Sequence, residues 1–160
     1  MTADACPPVE VSRRIAAPAG VIFRILTDPK RHLDLDGSGM LRGVESEVIL
    51  TCVGDVFVMN MYYSALGGYQ MNNHVVVYEL DKRIGWEPVA GDGHPEAGSR
   101  VGHRWSFELT SDGPNATIVT EIYDCSAAPE EFRVAMDNGR NWTESMEGTL
   151  ERLDVIASGR

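Results

Sequence analysis

HRWSFEL, residues 103–109, alternates His103, Trp105, Phe107 and Leu109 with Arg104, Ser106 and Glu108. A period of two is that of a pleated strand with one face buried. The buried row carries an imidazole and an indole, and each has a polar atom that needs a partner once water is removed. Two arrangements meet that need. Either a neighbouring strand satisfies them inside a core, or they line a hollow that receives something.

Outward from this strand, residues 40–125 are rich in β-branched, aromatic and methionine residues, with Gly, Pro, Asn and Asp at hairpin intervals. Strands are expected near 41–49, 54–63, 70–80, 83–90, 100–110 and 115–125. The turn at 80–83, the loop at 90–99 and the turn at 111–114 make neighbours antiparallel. Upstream, VEVSRRIA (9–16) alternates as a first strand. Pro18 opens a helix whose apolar stripe is Val21, Ile22, Ile25 and Leu26, and Pro29 opens a second short helix that ends at the Gly-rich DGSG. After Pro129 the period returns to helical. Phe132, Met136, Trp142, Met146, Leu150, Leu153 and Ile156 keep close to one face, with Gly139 interrupting.

The expected architecture is α+β: a curved seven-stranded antiparallel sheet wrapped around a long C-terminal helix, with two short helices after strand one. It forms one domain over 9–157, with residues 1–8 as a flexible N-terminus. Bending that many strands over one helix leaves room between them, the natural place for a ligand cavity.

The bulk numbers exclude several function classes. The 160 residues, 43% of them hydrophobic, suit one globular domain. With 24 acidic against 14 basic residues, the net charge of −10 repels phosphate backbones and anionic lipid heads, so nucleic acid is not an expected partner. No apolar run approaches the roughly 18 residues that would span a bilayer, so no membrane insertion is expected. The N-terminus lacks a charged region followed by an apolar core, and the reading is a cytoplasmic protein. Cys6, Cys52 and Cys125 are scattered and odd in number, which fits neither a disulfide framework nor a CxxC zinc site; each reads as a small apolar residue.

Four stretches carry a family resemblance: RRIAAPAGVIFRILTDPKRHLDLDGSG, GGYQMNNHVVVYELDKRIGWEP, GHRWSFELTSDGPNATIVTEIYDCSAAPEEFR and NWTESMEGTLERL. Together, and in this order, the chain resembles the START-like (Bet v 1-like) helix-grip superfamily, and more closely its bacterial polyketide cyclase/dehydrase and lipid-transport-like members. The resemblance implies a small hydrophobic ligand, whether polyketide, lipid or aromatic metabolite, held between the sheet and the last helix, with no cofactor. A cyclase/dehydrase-type enzyme using the same cavity is the alternative, although no catalytic motif of that kind carries over residue by residue. A third reading is a protein-interaction module with a filled core. A homodimer is compatible with each.

The residues supply candidates for such a cavity. His103, Trp105 and Phe107 form one wall, across from Trp142 and Met146. Phe57, Met59, Met61 and Tyr63 form a second, with Trp86 at its core or rim. Glu121 and Tyr123 join His103 as acid or hydrogen-bond donor, and as candidate catalytic groups, if the odd positions of strand 115–125 face inward. A one-residue slip replaces them with Ile118, Thr120 and Ile122.

DLDGSGMLRGVE, 34–45, places Asp34, Asp36 and Ser38 at positions one, three and five of a calcium loop, Gly39 at six and Glu45 at twelve. The exiting segment is β-branched rather than helical, and Arg42 puts a cation at position nine. The segment is therefore expected to be a loop at the cavity mouth, without metal. No Gly-x-Ser-x-Gly, phosphate-binding Gly-rich loop or His-Glu-x-x-His is present.

Overall fold

A computed structural model describes residues 6–159. Seven antiparallel strands form one sheet in the order β1-β7-β6-β5-β4-β3-β2. They are β1 (Val9–Ile15), β2 (Leu41–Val44), β3 (Val56–Tyr63), β4 (Gly67–Glu79), β5 (Arg83–Ala90), β6 (Arg104–Ser111) and β7 (Thr117–Asp124). Strands β2 to β7 run as a meander, and β1 adds to β7 at the far edge. Helix α1 (Ala19–Leu26), a 3-10 turn at Pro29–Arg31 and α2 (His32–Leu35) lie between β1 and β2. Helix α3 (Glu130–Ala135), a 3-10 segment (Asp137–Trp142) and α4 (Thr143–Ser158) close the chain. Of the expected N-terminal segment 1–8, residues 1–5 lie outside the described residues.

The sequence period predicts one bent C-terminal helix, whereas the structure breaks it. Asp137, Asn138 and Gly139 all adopt positive φ, at 52°, 53° and 89°. Gly139 is required there twice over, because a Cβ would also stand 2.6 Å from the Tyr123 ring. The chain therefore turns against β7 and restarts as α4.

One end of α4 belongs to the core. Leu150 and Leu153 are fully buried with Ile15, Ile22, Leu26, Ile84 and Val119. Arg13, on the inward row of β1, pairs with the buried Asp154 at 2.8 Å, fixing the helix along the sheet. In the first two turns of α4 the α2–β2 loop crosses it at backbone contact. A Cβ on Gly37 would lie 2.2 Å from the Ser145 carbonyl oxygen and 2.7 Å from the Thr149 nitrogen, and Gly148 faces the same crossing. The Gly37 N–H donates to Thr149 Oγ1 at 3.1 Å, closing the contact.

Gly37→Ala is expected to destabilise the fold by roughly 2 kcal/mol or more, because both sides of the clash are backbone. Gly43→Ala is the control: its methyl would meet Asn60 at an ordinary 3.5 Å. Thermal melts of the two variants side by side check this, and equal melting temperatures would refute the close crossing.

Candidate functional site

Between the sheet and the first turns of α4 lies a cavity of about 610 Å³. Its walls are built by parity. Met59, Met61 and Tyr63 come from β3, Trp86, Pro88 and Ala90 from β5, and Trp105 and Phe107 from β6. Trp142, Ser145, Met146 and Thr149 face them from the last helical stretch. Exposed Tyr63, Leu66, Glu96, Ala135 and Asn141 mark where the cavity meets the surface, between the β3–β4 turn, the 90–99 loop and the α3 segment. No Lys or Arg lines the cavity, and its carboxyl groups are Asp36, Glu96 and Glu121.

At one end stands an aromatic cluster. The Trp105 ring centroid lies 4.5 Å from that of Tyr123 and 5.4 Å from that of Trp142, and His103 sits edge-on to both Tyr123 and Phe132. His103 Nδ1 and the Tyr123 hydroxyl share a hydrogen bond of 2.7 Å. The histidine of the HRWSFEL row is thus satisfied by the neighbouring strand and still forms part of the cavity wall. Burial lowers its pKa to about 4, against a smaller upward pull from Glu87, so the ring is neutral at neutral pH. Burial likewise pushes the Tyr123 phenol well above its usual value. The Trp142 indole Nε1 is buried without a hydrogen bond of acceptable geometry, although it lies close enough to the Tyr123 hydroxyl to favour its ionised form slightly.

The odd residues of β7 face inward: Thr117, Val119, Glu121 and Tyr123 are buried, while Ile118 is 40% exposed. This settles the parity that periodicity alone leaves open, because β7 pairs on both sides, with β1 and β6. Glu121 reaches the cavity, and its carboxyl is held well above the usual carboxylate range, first by burial and then by the charge of Asp36. A neutral imidazole and a carboxyl whose surroundings favour its protonated form share one apolar hollow.

One expectation needs correction. Phe57 shares the inward row of β3 with Met59 and Met61 but does not reach the cavity. It is fully buried, with the rings of His32 and Trp86 packed over it at 5.5 and 5.3 Å. The three cysteines are free thiols, and Cys6 Sγ lies 3.8 Å from Cys125 Sγ. In the 34–45 loop, Asp36 is consumed locally. Its oxygens accept from the Ser38 N–H and hydroxyl and from the Leu41 N–H, and Glu45 turns away to accept from Asn60. Among the described residues no group of three or more His, Cys, Asp or Glu could hold a metal ion.

Sequence reasoning missed Tyr69, Met71 and Asn73, which line the cavity from β4. Their own alternation in GGYQMNNH was the available signal. Ser145 and Thr149, one turn apart on α4, were hidden because a search for apolar stripes passes over hydroxyls.

His103 and stability are linked through its proton. The unfolded imidazole titrates near 6.5 and the folded one near 4, so the folded state resists protonation. This contribution is complete above pH 6.5 and is lost as the pH falls towards 4, a change of about 3 kcal/mol at most. His32, buried and donating from Nε2 to the Leu26 carbonyl, is lowered too and acts in the same direction, whereas Glu121 acts in the opposite one. His103→Gln should therefore flatten, without abolishing, the fall in melting temperature between pH 7 and 4.5. Identical slopes in variant and parent would show that His103 does not resist the proton.

Comparison with known proteins supports the architecture. No family model matches the sequence. The chain is 34% identical over 166 residues to the uncharacterised protein Rv0088 of Mycobacterium tuberculosis, a match covering 96% of this chain and 66% of that one. It thus spans just under two thirds, 66%, of the length of the curated relatives it matches. Among solved structures, a START superfamily protein of Mycobacterium smegmatis superposes with a TM-score of 0.64 at 15% identity, covering 95% of this chain and 97% of that one. A protein of Arthrobacter aurescens superposes with a TM-score of 0.71 at 16% identity, covering 96% and 87%. Seven antiparallel strands holding one C-terminal helix, matched along nearly the whole chain by a START superfamily structure, give this protein the START-like helix-grip fold.

Proposed function

We propose that the protein binds one small, uncharged, mainly apolar molecule in the cavity between the sheet and α4. The observation that carries this reading is the composition of the wall. A hollow of about 610 Å³ is lined mainly by methionines, aromatics and aliphatics, with a few hydroxyl, amide and carboxyl groups, the imidazoles of His32, His94 and His103, and no Lys or Arg. Cavities of this size enclose most of a drug-sized ligand, and apolar burial then supplies most of the affinity. Methionines adapt to irregular shapes, which suits a polyketide, an acyl chain or an aromatic metabolite. A free carboxylate or phosphate would find no Lys or Arg to pair with and would meet Asp36 and Glu96 instead. Fatty-acid anions and phospholipid heads are therefore poor occupants.

The chain's three tryptophans, Trp86, Trp105 and Trp142, all line the cavity, so intrinsic fluorescence reports its occupancy directly. Titration with the neutral probe N-phenyl-1-naphthylamine should quench tryptophan emission and saturate at one probe per chain, while palmitate should leave it unchanged. Ser145→Phe, which projects a ring into the hollow, should weaken the probe by about tenfold, or 1.4 kcal/mol. Native mass spectrometry of freshly purified protein should in addition show an extra mass that is lost on denaturation. Absence of saturable quenching, or equal binding by Ser145→Phe, would defeat the cavity reading.

A further inference from the structure

Among the described residues, the buried side-chain polar atoms without a hydrogen-bond partner are Glu121 Oε2 and Trp142 Nε1, and both residues line the cavity. Buried polar atoms are ordinarily paired, and the Trp142 indole already lies beside the Tyr123 hydroxyl, so Glu121 marks the place where something else completes the pairing. Glu121 is the more informative of the two. It is 5% exposed, and its register partners are apolar on both sides, Val11 on β1 and Phe107 on β6. No cation reaches it: the ion pairs of the described residues leave Glu121 out, and no Lys or Arg lines the cavity. The charged group acting on it is Asp36, itself negative and already holding three hydrogen bonds from its own loop.

A carboxylate in that position would face a like charge without a donor, so the neutral carboxyl is the form the surroundings accept. A neutral carboxyl carries an O–H, and the Trp142 indole carries an N–H. An unmet buried donor is a rarer and costlier vacancy than an under-used carbonyl oxygen, so the complement the wall asks for first is an acceptor that bears no charge.

Resting on the cavity reading above, we infer that Glu121 is the specificity-determining residue of the site, donating a hydrogen bond to a ketone or ester carbonyl of a neutral ligand. The burial that raises the carboxyl's pKa favours the protonated form that can donate. A hydrocarbon of the same shape fits the walls but leaves the donor unmet, and a carboxylate ligand adds a second negative charge beside Asp36. The site sorts neutral carbonyl compounds from both. A site built around a donor rejects a ligand that lacks the acceptor more strongly than an apolar wall rejects one missing a methylene.

The test uses the intact chain and three naphthalenes of similar shape, 2-acetylnaphthalene, 2-ethylnaphthalene and the 2-naphthoate ion, each competing against N-phenyl-1-naphthylamine. The quantity measured is the ratio of acetyl to ethyl affinity. It should fall about tenfold in Glu121→Leu and be largely kept in Glu121→Gln, which retains an N–H donor. Ethyl binding itself should change less than about twofold in Glu121→Leu, and naphthoate should compete poorly throughout. Glu121→Leu should melt no lower than the parent, because it removes an unpaired buried acid. An unchanged ratio in Glu121→Leu overturns the assignment and leaves the cavity reading standing. So does a cationic analogue, 1-(2-naphthyl)ethylamine, that binds more tightly than the ketone and depends on Glu121, since that would show an ionised carboxylate. If neither neutral naphthalene competes with the parent protein, both readings fall together.

Discussion

Helix α4 enters the aliphatic core through its C-terminal half only, and the rest of the molecule follows from that asymmetry. Leu150, Leu153 and the Arg13–Asp154 pair fix its C-terminal half in that core, while the Gly37 crossing bears on its first two turns from the α2–β2 loop. Those turns of the helix have no anchor in the aliphatic core. Its first turns instead face the concave sheet through Trp142, Ser145, Met146 and Thr149. Close packing normally eliminates such voids, so a hollow of this size needs a structural reason to persist. The reason here is that the break at Asp137–Gly139 seats the start of the helical stretch on Tyr123 and the aromatic cluster, which act as a spacer at the open end.

The same construction sets the electrostatics. Strands supply side chains to the cavity by strict alternation, so their charged residues fall on the outer face, where Arg83, Arg104 and Glu108 stand exposed. The exceptions turned inward are few, and each is handled differently. Arg13 is neutralised by Asp154. Asp36 is absorbed into its own loop through three hydrogen bonds. His103 is lowered to about 4 and shares its ring nitrogen with Tyr123. Glu121 alone of these four has a buried oxygen that receives no such treatment.

Much of the architecture was legible in the amino-acid order because it rests on short-range patterns. Alternation around Trp105 and Phe107, turn residues at 80–83 and 111–114, and the helical spacing from Met146 to Leu153 each encode an element locally. What could not be read depends on where separate elements meet. Gly37 looks like ordinary loop punctuation until α4 lies across it, and Cys6 and Cys125, 119 positions apart, become neighbours only through β1–β7 pairing. Phe57 shows the complementary failure. Its face was readable, but its depth was set by His32 folding over it from α2. The calcium-like spacing of 34–45 is a local pattern that tertiary contacts spend on a turn and a helix crossing.

Glu121 marks where the two kinds of information disagree. In TIVTEIYD the inward row Thr117, Val119, Glu121 and Tyr123 alternates as a buried strand should, except that one member is an acid. A leucine there would satisfy the local pattern and avoid the cost of an unpaired buried carboxyl, which is of order 1–3 kcal/mol even when neutral. Local consistency is the general condition for specifying a fold, and departures from it concentrate where a protein trades stability for a task. The departure sits on the cavity wall, which the Trp142 indole also lines, rather than anywhere in the core beneath α1. Its position ties the unexplained acid to whatever occupies the hollow rather than to the packing that builds it.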